Sequence, residues 1–256
     1  MKKLLALALT ALTMLPSGMT AQDKFEASLS CDLVSAYMWR GIHMADICLQ
    51  PEVTISWKGL SLDAAGSTGF SKDDLKDIDI TLAYSRWGFN IGVTDYWQNG
   101  VDPRDRYFYF SSGNDCPHQL EANIGYTCKY GSIQAYTMFL GNDYKIDGSR
   151  AYSTFIELSV PFRAGGLDWD VRAGITPMES SGYSYEEEII TDSGWKRTVT
   201  RGEWMYGESF TCNMASIRAT KNFEFKKFSL PVYVELHTNP YLRRANLLLG
   251  VSIATL

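Results

Sequence analysis

The sequence predicts an all-β fold: a transmembrane, antiparallel, up-and-down β-barrel of about 12 strands. Three observations lead there. Apolar and polar residues alternate with a period of two through most of the chain. The connections between the alternating runs are sorted, every second one a short turn and the others mostly longer and more polar. The one sustained apolar run, residues 4–15, is too short to cross a bilayer as a helix, and no later run approaches ~18 apolar residues.

Residues 118–140 show the repeating unit. Leu120, Ala122, Ile124, Tyr126, Cys128 and Tyr130 share one parity, and Glu121, Asn123, Gly125, Thr127 and Lys129 share the other. A strand points alternate side chains to opposite faces, so this run has one apolar and one polar face. It is about as long as the ~9–11 residues a tilted transmembrane strand needs. The chain turns at Lys129-Tyr130-Gly131-Ser132 and returns with Ile133, Ala135, Thr137 and Phe139 on one face.

The same unit recurs from the start. Residues 25–39 set Phe25, Ala27, Leu29, Cys31, Leu33 and Tyr37 against Glu26, Ser28, Ser30 and Asp32, and 40–45 form the first connection. Residues 49–57 return with Val53, Ile55 and Trp57 opposite Gln50, Glu52, Thr54 and Ser56. Lys58-Gly59 then makes a tight turn. A Gly- and Ala-rich strand, 60–70, is followed by a polar loop, 71–76. Residues 77–86 place Ile78, Ile80, Leu82 and Tyr84 opposite Asp77, Asp79, Thr81 and Ser85, and Trp87-Gly88 turns the chain into 89–97. A long connection, 98–117, carries a charged cluster at 102–106 and an aromatic run at 107–110.

Beyond the 118–140 hairpin, 141–149 is a polar loop, 151–161 a strand, 162–166 a turn and 167–175 a strand. The longest connection, 176–207, contains its own predicted hairpin. Its acidic arm (Glu186, Glu187, Glu188) faces a basic one (Lys196, Arg197, Arg201) across Asp192-Ser193-Gly194. Strands at 209–220, 228–237 and 243–256, joined by a turn at 221–227 and a short loop at 238–242, complete the twelve. An even count with short turns on one rim and long loops on the other is the pattern of bacterial outer-membrane barrels, with the turns periplasmic and the loops extracellular.

The N terminus reads as a signal peptide, residues 1–21: Lys2-Lys3, the apolar core, then a stretch ending at Ala21. The barrel domain is 22–256. Losing Lys2 and Lys3 takes the formal charge from −5 to −7, which gives no reason to expect nucleic acid. The 15 Tyr, 12 Phe and 7 Trp are enough for interfacial girdles around a lipid-embedded barrel. Five scattered cysteines offer no metal-ligand spacing and no cofactor motif appears. Cys31 and Cys128 fall on apolar parity, and a bridge between the loop residues Cys48 and Cys116 is one option.

In a barrel the polar face lines the lumen. Glu52, Asp63, Asp79, Glu121, Glu157, Asp168, Asp170, Arg172 and Glu235 all take that parity. Asp95 is the exception, on the lipid parity near the outer end of its strand. The runs Asp32-Leu-Val-Ser-Ala-Tyr-Met-Trp-Arg-Gly41, Gln50-Pro51, Gly66-Ser-Thr-Gly-Phe70, Asp95-Tyr96-Trp97, His118-Gln-Leu-Glu121 and Ala151-Tyr-Ser-Thr154 resemble a family of uncharacterised bacterial outer-membrane barrels. They are also similar to porins of the TorF type. The resemblance spans most of the mature chain and implies a location and a fold more firmly than a substrate.

Three functions compete. The first is a narrow porin-like channel for passive diffusion of small solutes. Its lumen acids outnumber the bases Arg40, Lys58, Lys129 and Arg172 and would favour cations, unless charge pairs across the lumen plug it. The second is a lipid hydrolase on the outer surface, with His118 at the outer end of its strand as the candidate base and no evident serine partner; His43 and His237 read as loop or rim residues. The third is a structural or adhesive barrel that binds through the 176–207 hairpin. The expected partners are outer-membrane lipid and small solutes.

Overall fold

The computed structural model describes residues 25–70, 76–99, 107–108, 116–190, 195–226 and 228–255. The expected leader, the 102–106 cluster and the 192–194 hairpin turn lie outside the described residues.

The chain forms β1 (Glu26–Val34), β2 (Tyr37–Trp39), β3 (Ile42–Ala45), β4 (Cys48–Trp57), β5 (Leu60–Gly69) and β6 (Lys76–Arg86). β7 (Phe89–Asn99), β8 (His118–Cys128), β9 (Gly131–Leu140), β10 (Thr154–Ala164) and β11 (Leu167–Thr176) follow. The last are β12 (Gly182–Ile190), β13 (Lys196–Trp204), β14 (Thr211–Glu224), β15 (Ser229–Asn239) and β16 (Arg244–Thr255). Twelve of these close into an antiparallel barrel in the order β1-β16-β15-β14-β11-β10-β9-β8-β7-β6-β5-β4. The seam is the β1–β16 pairing, from Leu29 opposite Thr255 to Val34 opposite Gly250. β2–β3 and β12–β13 are two separate hairpins outside the barrel ladder.

The twelve-strand barrel expected from the alternation is therefore what forms, with its loops sorted by rim. One rim holds both barrel termini and the tight turns Lys58-Gly59, Trp87-Gly88, Lys129-Tyr130 and Gly165-Gly166. Where the residues have positive φ, as at Lys58 (51°) and Gly59 (88°), the turn has the primed geometry that matches strand twist. The other rim holds the longer connections. Several boundaries move. β10 runs on to Ala164 and β14 to Glu224, so the residues expected to turn at 162–164 and 221–224 extend their ladders instead. The first strand ends at Val34 rather than at 39, because 37–45 fold into the β2–β3 hairpin.

The outer face is apolar. Leu82, Ile91, Ile124, Leu158 and Leu249 are each more than half exposed, and Val53, Ile55, Leu62, Val93, Val160, Val234 and Ile253 continue the belt. At the short-turn rim the belt ends in aromatics: Trp57, Trp87, Phe89, Tyr126, Tyr130, Phe162, Phe225 and Phe228. Three of the turns there pair an aromatic ring with a cation, Lys58 on Trp57 (5.0 Å), Arg86 on Trp87 (4.2 Å) and Lys129 on Tyr130 (4.7 Å). Tight packing is instead found inside the cylinder. Val34, Ala45, Cys48 and Tyr233 form one buried cluster, and Phe155, Tyr206 and Met214, with Trp39 and Ile42 against them, form another.

If the outer belt is the face that meets hydrocarbon, Leu82→Arg should cost about 2–4 kcal/mol in a phospholipid vesicle. Thr54→Lys, which points inward, should cost far less. Urea unfolding of both variants in vesicles measures the difference.

Candidate functional site

The most constrained cluster in the interior centres on Arg40. It sits at the tip of the β2–β3 hairpin, where Arg40 (φ 50°) and Gly41 (φ 86°) form the two-residue turn and Trp39 pairs with Ile42. The hairpin is directed into the lumen rather than toward solvent, because its residues Tyr37, Trp39 and Ile42 are apolar and pack on the two interior clusters. A side chain at 41 would meet the backbone: a Cβ there would lie 2.0 Å from the Asn213 carbonyl oxygen. Asn239 Nδ2 donates to the Gly41 carbonyl (3.1 Å) and fixes the tip from β15.

Glu121, on β8, receives the guanidinium in a fork. Arg40 Nη1 donates to Oε2 (2.5 Å) and Nη2 to Oε1 (2.7 Å), with the two side chains 8% and 0% exposed. Nη1 also donates to the Tyr206 hydroxyl (2.9 Å), and the Tyr96 hydroxyl donates to Glu121 Oε1 (3.0 Å). Aromatic rings enclose the planar cation, whose Cζ lies 4.2 Å from the Tyr136 centroid, 4.6 Å from Trp39 and 5.2 Å from Phe155. The arrangement combines bidentate charge-assisted hydrogen bonding with cation–π contact, the two modes in which arginine differs from lysine.

Tyr206 reaches the cage from the long β11–β14 connection. Ser180 Oγ accepts from the amides of Tyr206 (2.9 Å) and Gly207 (3.1 Å). Ser181 N donates to Ser153 Oγ (2.6 Å), which in turn donates to the buried Asp143 Oδ1 (2.5 Å). The root of the β12–β13 hairpin is thus tied to the neighbouring loop at 141–153. The hairpin itself pairs as expected, though not rung by rung: Glu187 lies opposite Val199, and its ion pair runs diagonally to Arg201 (2.8 Å). Lys196 meets Glu188 at 3.3 Å. The Tyr183 phenol donates to Glu203, which pushes its pKa up.

Elsewhere the lumen has two unlike walls. On β11, β14 and β15, Glu235 is held between Arg172 (2.5 Å) and Arg218 (2.6 Å) and receives His237 Nδ1 (2.9 Å). Asp170 accepts from Ser159 (2.6 Å) and lies 3.4 Å from Arg172 Nε. On β1, β4, β5 and β6 the inward residues include Asp32, Glu52, Asp63, Asp77 and Asp79 and no basic side chain among the described residues. Among the described residues Glu52 meets the Thr54 hydroxyl (3.5 Å) and Asp63 the Ser61 hydroxyl (3.2 Å). Asp79 Oδ1, Ser216 Oγ and His237 Nε2 are enclosed and meet no hydrogen-bonding group among the described residues. Enclosed polar atoms are ordinarily met by water or by another polar group.

Of the residues singled out in the sequence, Glu52, Asp63, Asp79, Glu121, Glu157, Asp170, Arg172 and Glu235 all lie on the inward face. Only Glu121 belongs to the cage; Asp170, Arg172 and Glu235 share the second network. Arg40 falls in a connection by sequence, and it is the residue on which the two halves of this cluster converge. The signal lies in the make-up of that connection: Ile42 and Met44, with Trp39 just before it, are poor residues for a solvated loop.

Two histidine readings change. His237 is not on the rim but inside, 3% exposed, beside Glu235. His118 is on the outward parity but 2% exposed, covered by Tyr107, whose ring it meets edge-on. Its Nδ1 faces the Asp95 carboxylate (2.9 Å) and its Nε2 the Tyr107 carbonyl (2.6 Å). Both ring nitrogens thus face oxygen atoms of the chain itself. The Asp95 charge on the lipid parity finds its partner here. His43, on the hairpin, lies 3.3 Å from Asp46. The five cysteines form no disulfide among the described residues, and Cys48 and Cys116 are both buried.

No protein-family model matches the sequence, and no curated protein does. Among solved structures, the chain is similar to OmpF of Salmonella typhi in complex with daunomycin, at 8% identity and a TM-score of 0.36, over 93% of this chain and 100% of that one. The barrel assignment rests on the strand pairing rather than on this likeness.

Removing one member of the buried pair leaves a charge with no counter-ion. Glu121→Gln is expected to destabilise the barrel by about 3–5 kcal/mol. Replacing both residues, Arg40→Met with Glu121→Leu, should cost less than the sum of the single changes, and a double-mutant cycle by urea unfolding in detergent micelles reads the coupling. Gly41→Ala should unseat the hairpin because of the Asn213 carbonyl, exposing Trp39 to a soluble fluorescence quencher.

Proposed function

We propose that this chain is an exported outer-membrane barrel that works as a porin-like channel for small solutes, cation-preferring and narrowed by its own β2–β3 hairpin. The outward apolar belt and its aromatic rim support the membrane location. A sheet that presents Leu, Ile and Val outward and Asp, Glu and Arg inward suits lipid outside and water within. The closed ladder agrees, since strands in hydrocarbon must pair their backbone groups and leave no edge. On this reading the short-turn rim is periplasmic, and the β12–β13 hairpin projects outside the cell.

The observation that carries the transport reading is the asymmetry of the lumen. The β11–β15 wall is neutralised by Arg172 and Arg218, whereas the β1–β6 wall keeps Asp32, Glu52, Asp63, Asp77 and Asp79 without a basic partner on its own strands. A one-sided row of carboxylates along a wet path attracts cations and repels anions. The hairpin crosses this path and is pinned at Arg40, so the resting conductance is small.

Planar-bilayer recording under a KCl gradient tests the proposal. The wild type should give a low, cation-selective conductance. Gly41→Ala should raise the conductance, and Glu52→Gln with Asp79→Asn should shift the reversal potential toward zero. A folded protein that conducts in none of these forms would overturn the channel reading.

A further inference from the structure

The contacts that hold Arg40 are those a receptor would use for a free guanidinium ion. Glu121 offers both carboxylate oxygens in the plane of the fork, and the Tyr206 hydroxyl accepts a further N–H. Tyr96 holds the carboxylate in register by donating to Oε1. The faces of the cation rest on Tyr136 and Trp39. Of these groups, only Trp39 belongs to the hairpin that carries Arg40. Glu121, Tyr96, Tyr136 and Phe155 stand on the barrel wall and Tyr206 on a tied loop, so the receptor half of the pair stays in place if the hairpin moves.

We infer that this cage is a binding site for guanidinium cations, occupied at rest by the chain's own Arg40, and that solutes ending in a guanidinium group are the class that displaces it. The inference rests on the channel reading only for the word solute; the binding site stands on the cage itself. An ammonium ion of equal charge fits less well. It engages the two Glu121 oxygens as a point charge rather than a fork, and it has no planar face to lay on Tyr136. The acidic β1–β6 wall supplies cations to the site without discriminating among them; the fork and the rings do the discriminating.

The test uses Arg40→Ala, with Arg40→Gln as the second variant should the first not fold, and methylguanidinium against methylammonium as matched probes. Calorimetric titration of the detergent-purified barrel should show saturable methylguanidinium binding, with methylammonium weaker by about ten-fold or more. Binding should vanish when Glu121→Gln is added. In bilayers, methylguanidinium should reduce the current through Arg40→Ala and raise it through the wild type, and methylammonium should do neither. Equal binding of the two probes, or none, in a folded variant overturns the inference while leaving the channel reading intact. Selective binding with no current in any variant keeps the site and overturns the channel.

Discussion

Closure of β1 onto β16 is the constraint from which the rest follows. A twelve-strand sheet left open would present two rows of unpaired amides and carbonyls, and no side-chain arrangement on its faces could compensate for those edges. The seam removes them with a continuous register from Leu29–Thr255 to Val34–Gly250. Once the sheet is a cylinder its two faces are no longer equivalent. The period-two pattern then sends the Leu, Ile and Val of the belt to one environment and nearly all the mid-strand Asp, Glu and Arg to the other, Asp95 being the exception. A one-residue slip at the seam would exchange them, so closure and sidedness are fixed together.

Closure also creates the interior problem that the β2–β3 hairpin answers. Eight-stranded barrels can be filled by side chains alone, whereas sixteen-stranded ones hold open water. Twelve strands fall between, and here the chain contributes a hairpin of its own. Cys48, Val34 and Tyr233 pack on one side of it, and Phe155, Met214 and Tyr206 on the other. The outer hairpin takes part as well. Its root presents Ser180 to the amides of Tyr206 and Gly207, and so aims the hydroxyl that Arg40 uses. Two segments that are loops by sequence thereby meet at one guanidinium inside the barrel.

The strand ladder was legible because its signal is local. Each strand carries its own alternation, and turns such as Lys58-Gly59 and Trp87-Gly88 carry their own backbone preference. The inward face of Glu52, Asp63, Asp79 and Glu235 could be read the same way, since parity along a strand decides it. What could not be read is which inward residues meet. Arg40 and Glu121 are far apart in sequence, and parity says nothing about a partner that arrives on a connection. His118 and His237 show the same limit. Position along the strand points one toward lipid and the other to a rim, yet Tyr107 covers the first and Glu235 draws in the second. The extension of β10 to Ala164 and β14 to Glu224 has a different cause. Arg163 and Asn222 are polar residues that read as turn but make inward or rim contacts with Asp168 while the ladder continues.

The chemistry of the Arg40 contact differs from that of an apolar plug. A lumen filled by leucine would gain more from burial and lose little when any one side chain was changed. A buried ion pair gains modestly over an apolar isostere, because desolvating both charges offsets much of their attraction. Its cost appears only when the partners separate into a dry site. On the channel reading separation need not be dry: Asp79, Ser216 and His237 hold polar atoms that meet no partner among the described residues, and the β1–β6 carboxylates lie along the same interior. A guanidinium leaving Glu121 would move into water and toward other acids, and an incoming cation would restore the charge on Glu121. The pair is thus held firmly by geometry and only moderately by net free energy, a combination suited to a contact that exchanges rather than one that merely fills space.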